Sequence, residues 1–531
     1  MKNTAPLLAL AVSITLAGMA RAQVAGPSSS QTSYLLPSGP SAGNITATSL
    51  LTVGDIIGGY KMVGIPDGLG AIDNNPGTPG VGTFTVFMNH ELGSTLGAVR
   101  AHGSVGSFVS KWTIDKSTLQ VLAGTDLIQQ VATWNTGTDT FNAAATGIAI
   151  GRLCSGDLAQ VSAYSFGGVG TTERIFLSGE ETGAEGRLFA HVATGTDAGK
   201  SYELADHGKY SWENAVANWG SGATTAVLGT DDSTPGQVYL YLGTKQATGN
   251  TVERSGLVGG NLYGIRVPSV ALELRTNGVN GTPGGFDSVA FSLASLGDVS
   301  SKTGATLQSE SVTAGVTEFL RPEDIVWDLN DASIAYFVTT DRFSQVEAGT
   351  GAQEGKSRLW KLDFTSEGDF TLGGQLTMLL NGDDAGQMFD NMTVTLDGTI
   401  VLQEDPGGGA TPGNYLAKVW EYDIATGTLK EILQHDGSRF ASNNATFNNT
   451  NDEESSGVID VTSFFTSTPL PGEHYYLMDV QAHHNAGYQI DATTVEGGQL
   501  NLVHVVPEPS TAVALLGGVG MLLGLRRRRS A

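Results

Sequence analysis

The chain has 531 residues, with 28 Lys+Arg against 53 Asp+Glu and a formal net charge of −25. Charged residues make up only 15% and hydrophobic residues 40%, a balance that excludes wholesale disorder, while the acidic excess excludes nucleic acid or an anionic membrane surface as a direct partner, since both require a basic face. Glycine at 72 positions without a three-residue period, together with many Thr and Asn and few Lys, predicts short strands and tight turns rather than collagen or long helices.

In chain order, residues 1–22 come first. Lys2 gives a positive start, Ala5 to Met19 an apolar stretch, and Ala20-Arg21-Ala22 a small-x-small cleavage pattern. This is a secretory signal, so the chain is expected to meet the secretion machinery and be exported. Residues 23–80 are Ser/Gly/Pro-rich early and carry Asp73-Asn74-Asn75-Pro76 late. They read as an N-terminal lead-in strand and loop rather than a domain.

Residues 81–500 read as the body. Runs rich in β-branched and aromatic residues recur at Thr83–Met88, Ser107–Ile114, Arg174–Leu177, Gln237–Leu242, Asn261–Val267, Ser333–Val338, Arg358–Phe364, Met392–Leu402, Lys418–Ile424 and His474–Val480. Clusters of Gly, Asn, Asp and Pro separate them. Arg358-Leu359-Trp360-Lys361-Leu362-Asp363 and Lys418-Val419-Trp420-Glu421-Tyr422-Asp423 share one form, and Asn261-Leu262-Tyr263-Gly264-Ile265 is a weaker copy. A loose repeat of this kind predicts an all-β fold, a six-bladed β-propeller, with a double β-sandwich as the alternative.

The C-terminal segment 506–531 holds Pro507-Glu508-Pro509, an apolar stretch from Thr511 to Leu525, and Arg526 to Arg529. It resembles the PEP-CTERM sorting signal. The resemblance implies a Gram-negative bacterium, transient membrane anchoring by a short C-terminal helix, and removal of the tail by an exosortase, leaving the protein at the cell surface or outside the cell. Fifteen residues span about 22 Å as a helix, short of a ~30 Å bilayer core unless the flanks snorkel. Removing both ends strips six basic residues against one acid, so the remaining span is more acidic still.

Acids gather where apolar strands stop. Examples are Asn89-His90-Glu91, Gly179-Glu180-Glu181, Asp231-Asp232, Thr340-Asp341 and Gln403-Glu404-Asp405, while Arg321-Pro322-Glu323-Asp324 precedes Ile325-Val326-Trp327. In a propeller such acids converge on one channel mouth. There they repel one another unless cations neutralise them, and Ca2+ takes six to eight oxygen ligands from loops of this kind. Glu454 is a candidate to face the channel. His483-His484 reads as a solvated turn, with metal ligation as the alternative. Cys154 is the only cysteine, so it forms no internal disulfide, and taken alone it reads as a small buried hydrophobe. No metalloprotease, nucleophile-elbow, phosphate-loop or EF-hand pattern is present.

An ordered set of motifs, from Asn89-His90-Glu91 through Val99-Arg100-Ala101-His102-Gly103, Arg152-Leu153-Cys154-Ser155-Gly156, Gly179-Glu180-Glu181, Arg321-Pro322-Glu323-Asp324 and Asp390-Asn391-Met392 to Gln403-Glu404-Asp405, resembles the PhoX-type alkaline phosphatases over roughly residues 50–485. The resemblance implies a six-bladed propeller with an Fe3+ and Ca2+ cluster at one channel mouth, acting on phosphate monoester substrates. It implies Cys154 as a thiolate ligand to iron, and Glu91, Glu180 or Glu181, Glu323 and Glu404 as carboxylate ligands, with Asp324 and Asp405 as ligands or close supports. Arg321 would be the catalytic phosphate clamp. The leader lacks a twin-arginine pair, so metals would load after export. Two other readings stand beside the phosphatase: a non-catalytic, calcium-stabilised matrix propeller, and a phytase-like or lactonase-like propeller hydrolase working without a thiolate.

Overall fold

The computed structural model describes residues 22–274, 288–341, 356–382, 384, 386–406, 415–440, 453–483 and 491–507. They form antiparallel meanders in a propeller-like, all-β arrangement around a central channel. The leader up to Arg21, the tail from Glu508, and His484 lie outside the described residues.

The first meander comprises Pro66–Asp73, Thr83–His90, Phe108–Asp115 and Val121–Asp126. The second runs Leu153–Asp157, Ile175–Glu180, Leu188–Val192 and Lys200–Glu203, with Gln130–Ala132 added in parallel at its edge. Next come Trp212–Ala217, Thr224–Asp231, Val238–Thr244 and Asn261–Arg266, then Pro322–Trp327, Ile334–Thr339, Arg358–Phe364 and Gly374–Leu380. The long strand Ser288–Gly297 bonds to the outer strands of both and fuses them into one sheet. Phe389–Val394, Thr399–Glu404, Lys418–Asp423 and Thr428–His435 follow, edged by Leu35–Pro37. The last sheet orders Glu453–Glu454 and Val458–Asp460 against His474–Ala482, then Gly497–Val505, Ile45–Thr52 and Ala22–Ala25. The segment 23–80 is therefore threaded into three of these sheets and also folds a two-stranded hairpin of its own, Ile56–Ile57 with Tyr60–Lys61. Its strand Ile45–Thr52 joins the start of the chain to the end.

Each predicted run lies on a strand, with one instructive difference. Met392–Leu402 is two strands, because Thr395–Gly398 forms a turn in which Gly398 takes φ 86° and the Thr395 amide donates to the Thr399 carbonyl. The Trp360 and Trp420 repeats are the third strands of their meanders, whereas the weaker copy at Asn261 is a fourth strand. The longest described helix, Gly304–Ala314, lies outside the sheets, capped by the Thr303 hydroxyl and ended by Gly315 at φ 74°, and Thr251–Arg254, Gly437–Phe440 and Thr462–Phe465 are single helical turns. No described helix is long and apolar enough to cross a membrane.

Alternation along each strand sends one set of side chains toward the neighbouring sheet. Leu69, Met88, Trp112 and Leu500 fill one such space, Phe87, Val109, Leu153 and Phe176 another, and Tyr336, Leu359, Ile400 and Trp420 a third. Each fully buried Leu, Phe or Met contributes about 1.5–3 kcal/mol. These cores fix where the inner strands stand, and hence where their polar residues meet.

Candidate metal centre

Five inner strands slip register at the same point: between Pro66 and Leu69, Leu153 and Gly156, Trp212 and Ala215, Pro322 and Ile325, and Phe389 and Met392. In the last sheet the corresponding strand is broken instead, between Glu454 and Val458. A bulge adds one residue and re-aims a side chain. Here its first residue is Asp67, Cys154, Glu213, Glu323 or Asp390. Ligand atoms of Asp67, Glu91 and Cys154 lie within 4.8 Å of one another, as do those of Glu213, Glu323 and Asp390. The Cys154 thiol joins the two groups, donating to Glu213 at 3.2 Å and Asp67 at 3.6 Å. The second bulge residues, Gly68, Ser155, Asn214, Asp324 and Asn391, line the channel beneath.

The approach to the bulge is also shared. Ile65, Arg152, Arg321 and Met388, each two residues ahead of a first bulge residue, take positive φ of 51°, 38°, 56° and 54°. A left-handed non-glycine residue costs about 1–3 kcal/mol and persists only when its surroundings fix it. At two of these positions the side chain is an arginine directed at the acids.

A second set of acids stands one residue beyond the second strands: Glu91, Glu181, Asp232 and Asp405. Arg321 grips Asp232 through Nε at 2.7 Å and Nη2 at 3.0 Å, and reaches Glu323 at 2.8 Å. Arg152 spans Glu91, at 2.6 Å, and Glu181. Gln481 donates to both Asp67 and Glu91, and Thr340 to Glu323.

The pleat separates neighbours in the sequence. Glu180 and Glu404 are the last residues of their strands and point away from Glu181 and Asp405. Glu180 is held by both edges of Arg187 and by the Gly151 amide. Glu404 accepts from Tyr415, Trp420 and the amides of Gln387 and Lys418. Asp324 accepts from Asn214 and from the amides of Ile325 and Met392. Of the expected ligands, then, Glu91, Cys154 and Glu323 come together with Arg321 alongside. Glu181 and Asp405 stand close by, while Glu180, Asp324 and Glu404 are saturated by protein donors. His483 lies between Glu454, at 3.6 Å, and Glu496. Asp67, Glu213, Asp232, Asp390 and Arg152 were not singled out as site residues from the sequence. The signal that finds the first two is an acid followed by Gly, Asn or Asp and then a short apolar run, as in Asp67-Gly68-Leu69, Glu213-Asn214-Ala215 and Asp390-Asn391-Met392.

Burial and then mutual repulsion hold the carboxyls of Asp67, Glu213 and Asp390 well above their usual range. Glu323 is raised by burial despite Arg321, and Glu454 is pushed up to about 7. Burial, followed by the fields of Asp67 and Glu213, likewise raises the Cys154 thiol. The pocket thus disfavours its own anions until positive charge enters it. Two buried carboxylate oxygens, Oε2 of Glu323 and Oδ2 of Asp479, have no hydrogen-bond partner among the described residues, nor have the side-chain carbonyls of Asn89 and Asn391. Carboxylates and amide oxygens suit a hard cation, and a thiol among them suits a softer one such as iron. The donor set fits a metal cluster.

No protein-family model matches the chain, and a search of curated proteins returns no significant match. Among solved structures, Pseudomonas fluorescens PhoX in complex with vanadate, a transition-state analogue, matches with a TM-score of 0.61 and 11% identity, covering 87% of this chain and 95% of that one. A quinohemoprotein alcohol dehydrogenase from Comamonas testosteroni matches with a TM-score of 0.28 and 10% identity over 80% of this chain and 60% of the other, too low to argue from. The chain therefore has a PhoX-like β-propeller fold.

Proposed function

We propose that the chain is an exported, metal-dependent phosphomonoesterase built as a six-bladed propeller. The observation that carries this reading is the convergence of Asp67, Glu91, Cys154, Glu213, Glu323 and Asp390 beside two arginines, in a fold like that of PhoX. The carboxylates would hold Ca2+, and Cys154 with Asp67 and Glu213 would hold Fe3+. When bound, such cations polarise phosphoryl oxygens and acidify water. Arg321 supplies a planar fork for the phosphoryl oxygens, and Asp232 sets its orientation. Buried Gln481 and Thr340 orient the ligand carboxylates. Residues 1–22 direct export, and residues 506–531 give a transient membrane anchor that an exosortase removes, leaving the protein at the surface of a Gram-negative cell or in its matrix.

The test is release of phosphate from p-nitrophenyl phosphate by protein supplied with Ca2+ and Fe3+. Turnover is expected, and Cys154→Ala should abolish it along with iron retention. Absence of turnover by metal-replete protein overturns the reading. A specific contact favours a second one: the Arg321 guanidinium is buried and engaged by Asp232 and Glu323, as in a calcium-stabilised propeller without catalysis. Calcium would then raise the unfolding midpoint, with neither iron bound nor ester cleaved.

A further inference from the structure

Arg152 and Arg321 occupy the same place in their meanders, two residues before the bulge, with the same left-handed backbone. Each pairs with the acid that follows the second strand of the preceding meander, Glu91 for Arg152 and Asp232 for Arg321. They differ in freedom. The Arg321 side chain is 13% exposed and binds Asp232 through two nitrogens, whereas that of Arg152 is 46% exposed. What holds Arg152 in place is Glu91 and Glu181, together with an Nε bond to the Glu181 carbonyl. Its backbone is fixed independently, by its amide to the Leu92 carbonyl and its carbonyl to the Glu181 amide. The guanidinium can therefore leave without disturbing the strand. Glu91, one of the two carboxylates it neutralises, shares the cluster with Asp67 and Cys154.

We infer that Arg152 is a tethered cation that neutralises Glu91 and Glu181 in the metal-free chain and is displaced when a divalent cation binds. This rests on the metal reading of the cluster. It answers a physical problem of that reading: a chain that folds before loading must bring these acids together with no metal present, and desolvated like charges otherwise oppose that step. A guanidinium on a long stem supplies the missing charge, then swings outward, because roughly half of it already meets solvent. Once released, it stands at the rim of the site, available to an anionic substrate.

Calorimetric titration of metal-stripped protein with Ca2+ tests the inference. Arg152→Gln is expected to bind calcium about tenfold more tightly than wild type, since the metal no longer competes with an internal charge. Without metal its unfolding midpoint should fall, and Arg152→Lys should stay near wild type in both respects. Equal calcium affinity in wild type and Arg152→Gln overturns the inference and leaves the metal reading standing. Absence of calcium binding by wild type overturns both. Should Arg152→Gln fail to fold, phenylglyoxal labelling of wild type, mapped by peptide mass, decides the matter. Labelling of Arg152 is expected to rise when Ca2+ is added, and unchanged labelling overturns displacement.

Discussion

At the scale of the residue, the site is defined by which of two adjacent acids faces inward. Glu180-Glu181 and Glu404-Asp405 look equivalent in the sequence, yet the pleat turns the first of each pair into a wall of donors and leaves the second at the mouth. The strand-end acids were legible because acids after apolar runs stand out. Their facing was not, since it depends on the residue at which the strand stops. Arg321 shows how tightly the inward set is coupled. Replacing it with Ala removes the cation that bridges Asp232 and Glu323, and breaking a buried pair of this kind costs about 3–5 kcal/mol. Denaturant titration at pH 8 of metal-free Arg321→Ala is expected to show that loss. Arg321→Lys should lie between the two, because an ammonium keeps the charge and loses the fork.

At the scale of the element, the inner strand with its register slip is the unit that builds the site. Its brevity hid it. Leu153–Asp157 and Trp212–Ala217 are too short and too polar at the slip to show strand alternation, whereas the aromatic third strands advertised themselves. The slip tolerates little bulk. A Cβ on Gly68 would meet the Gly156 amide nitrogen at 2.3 Å and the Ser155 carbonyl carbon at 2.5 Å, both backbone atoms of the neighbouring inner strand. Gly68→Val is therefore expected to destabilise the fold by about 1–3 kcal/mol and to weaken metal binding, because it pushes Asp67 and Cys154 apart. Gly43→Ala, where a Cβ meets nothing within 4 Å, should leave both unchanged. Equal midpoints for Gly68→Val and wild type in thermal unfolding would refute this account of the slip.

At the scale of the whole molecule, acidity and stability are linked. Carboxyls raised in the folded state bind protons more tightly than in the unfolded chain, so the folded form carries the extra protons. Stability from these groups is complete below the unfolded carboxyl range and is lost as pH rises through the folded values, which for Glu454 lie at about 7. Metal-free protein is accordingly expected to melt at lower temperature at pH 8 than at pH 5. Saturating Ca2+ should remove most of that decline by holding the same carboxyls ionised. Calorimetric scans across that interval, with and without chelator, measure it. The all-β architecture was legible from repeated aromatic strands. The way the ring closes was not, since nothing local in residues 45–52 names a partner near the other end of the chain.

That closure bears on how the molecule is made. Ile45–Thr52 contains no charged residue, and its antiparallel mate is Gly497–Val505. The two mates lie more than 440 positions apart in the sequence, so the seam is the pairing of longest range in the fold and the slowest kind to form. Until Gly497–Val505 docks, that edge of Ile45–Thr52 stands unpaired, and the sheets between them form an arc with an adhesive lip.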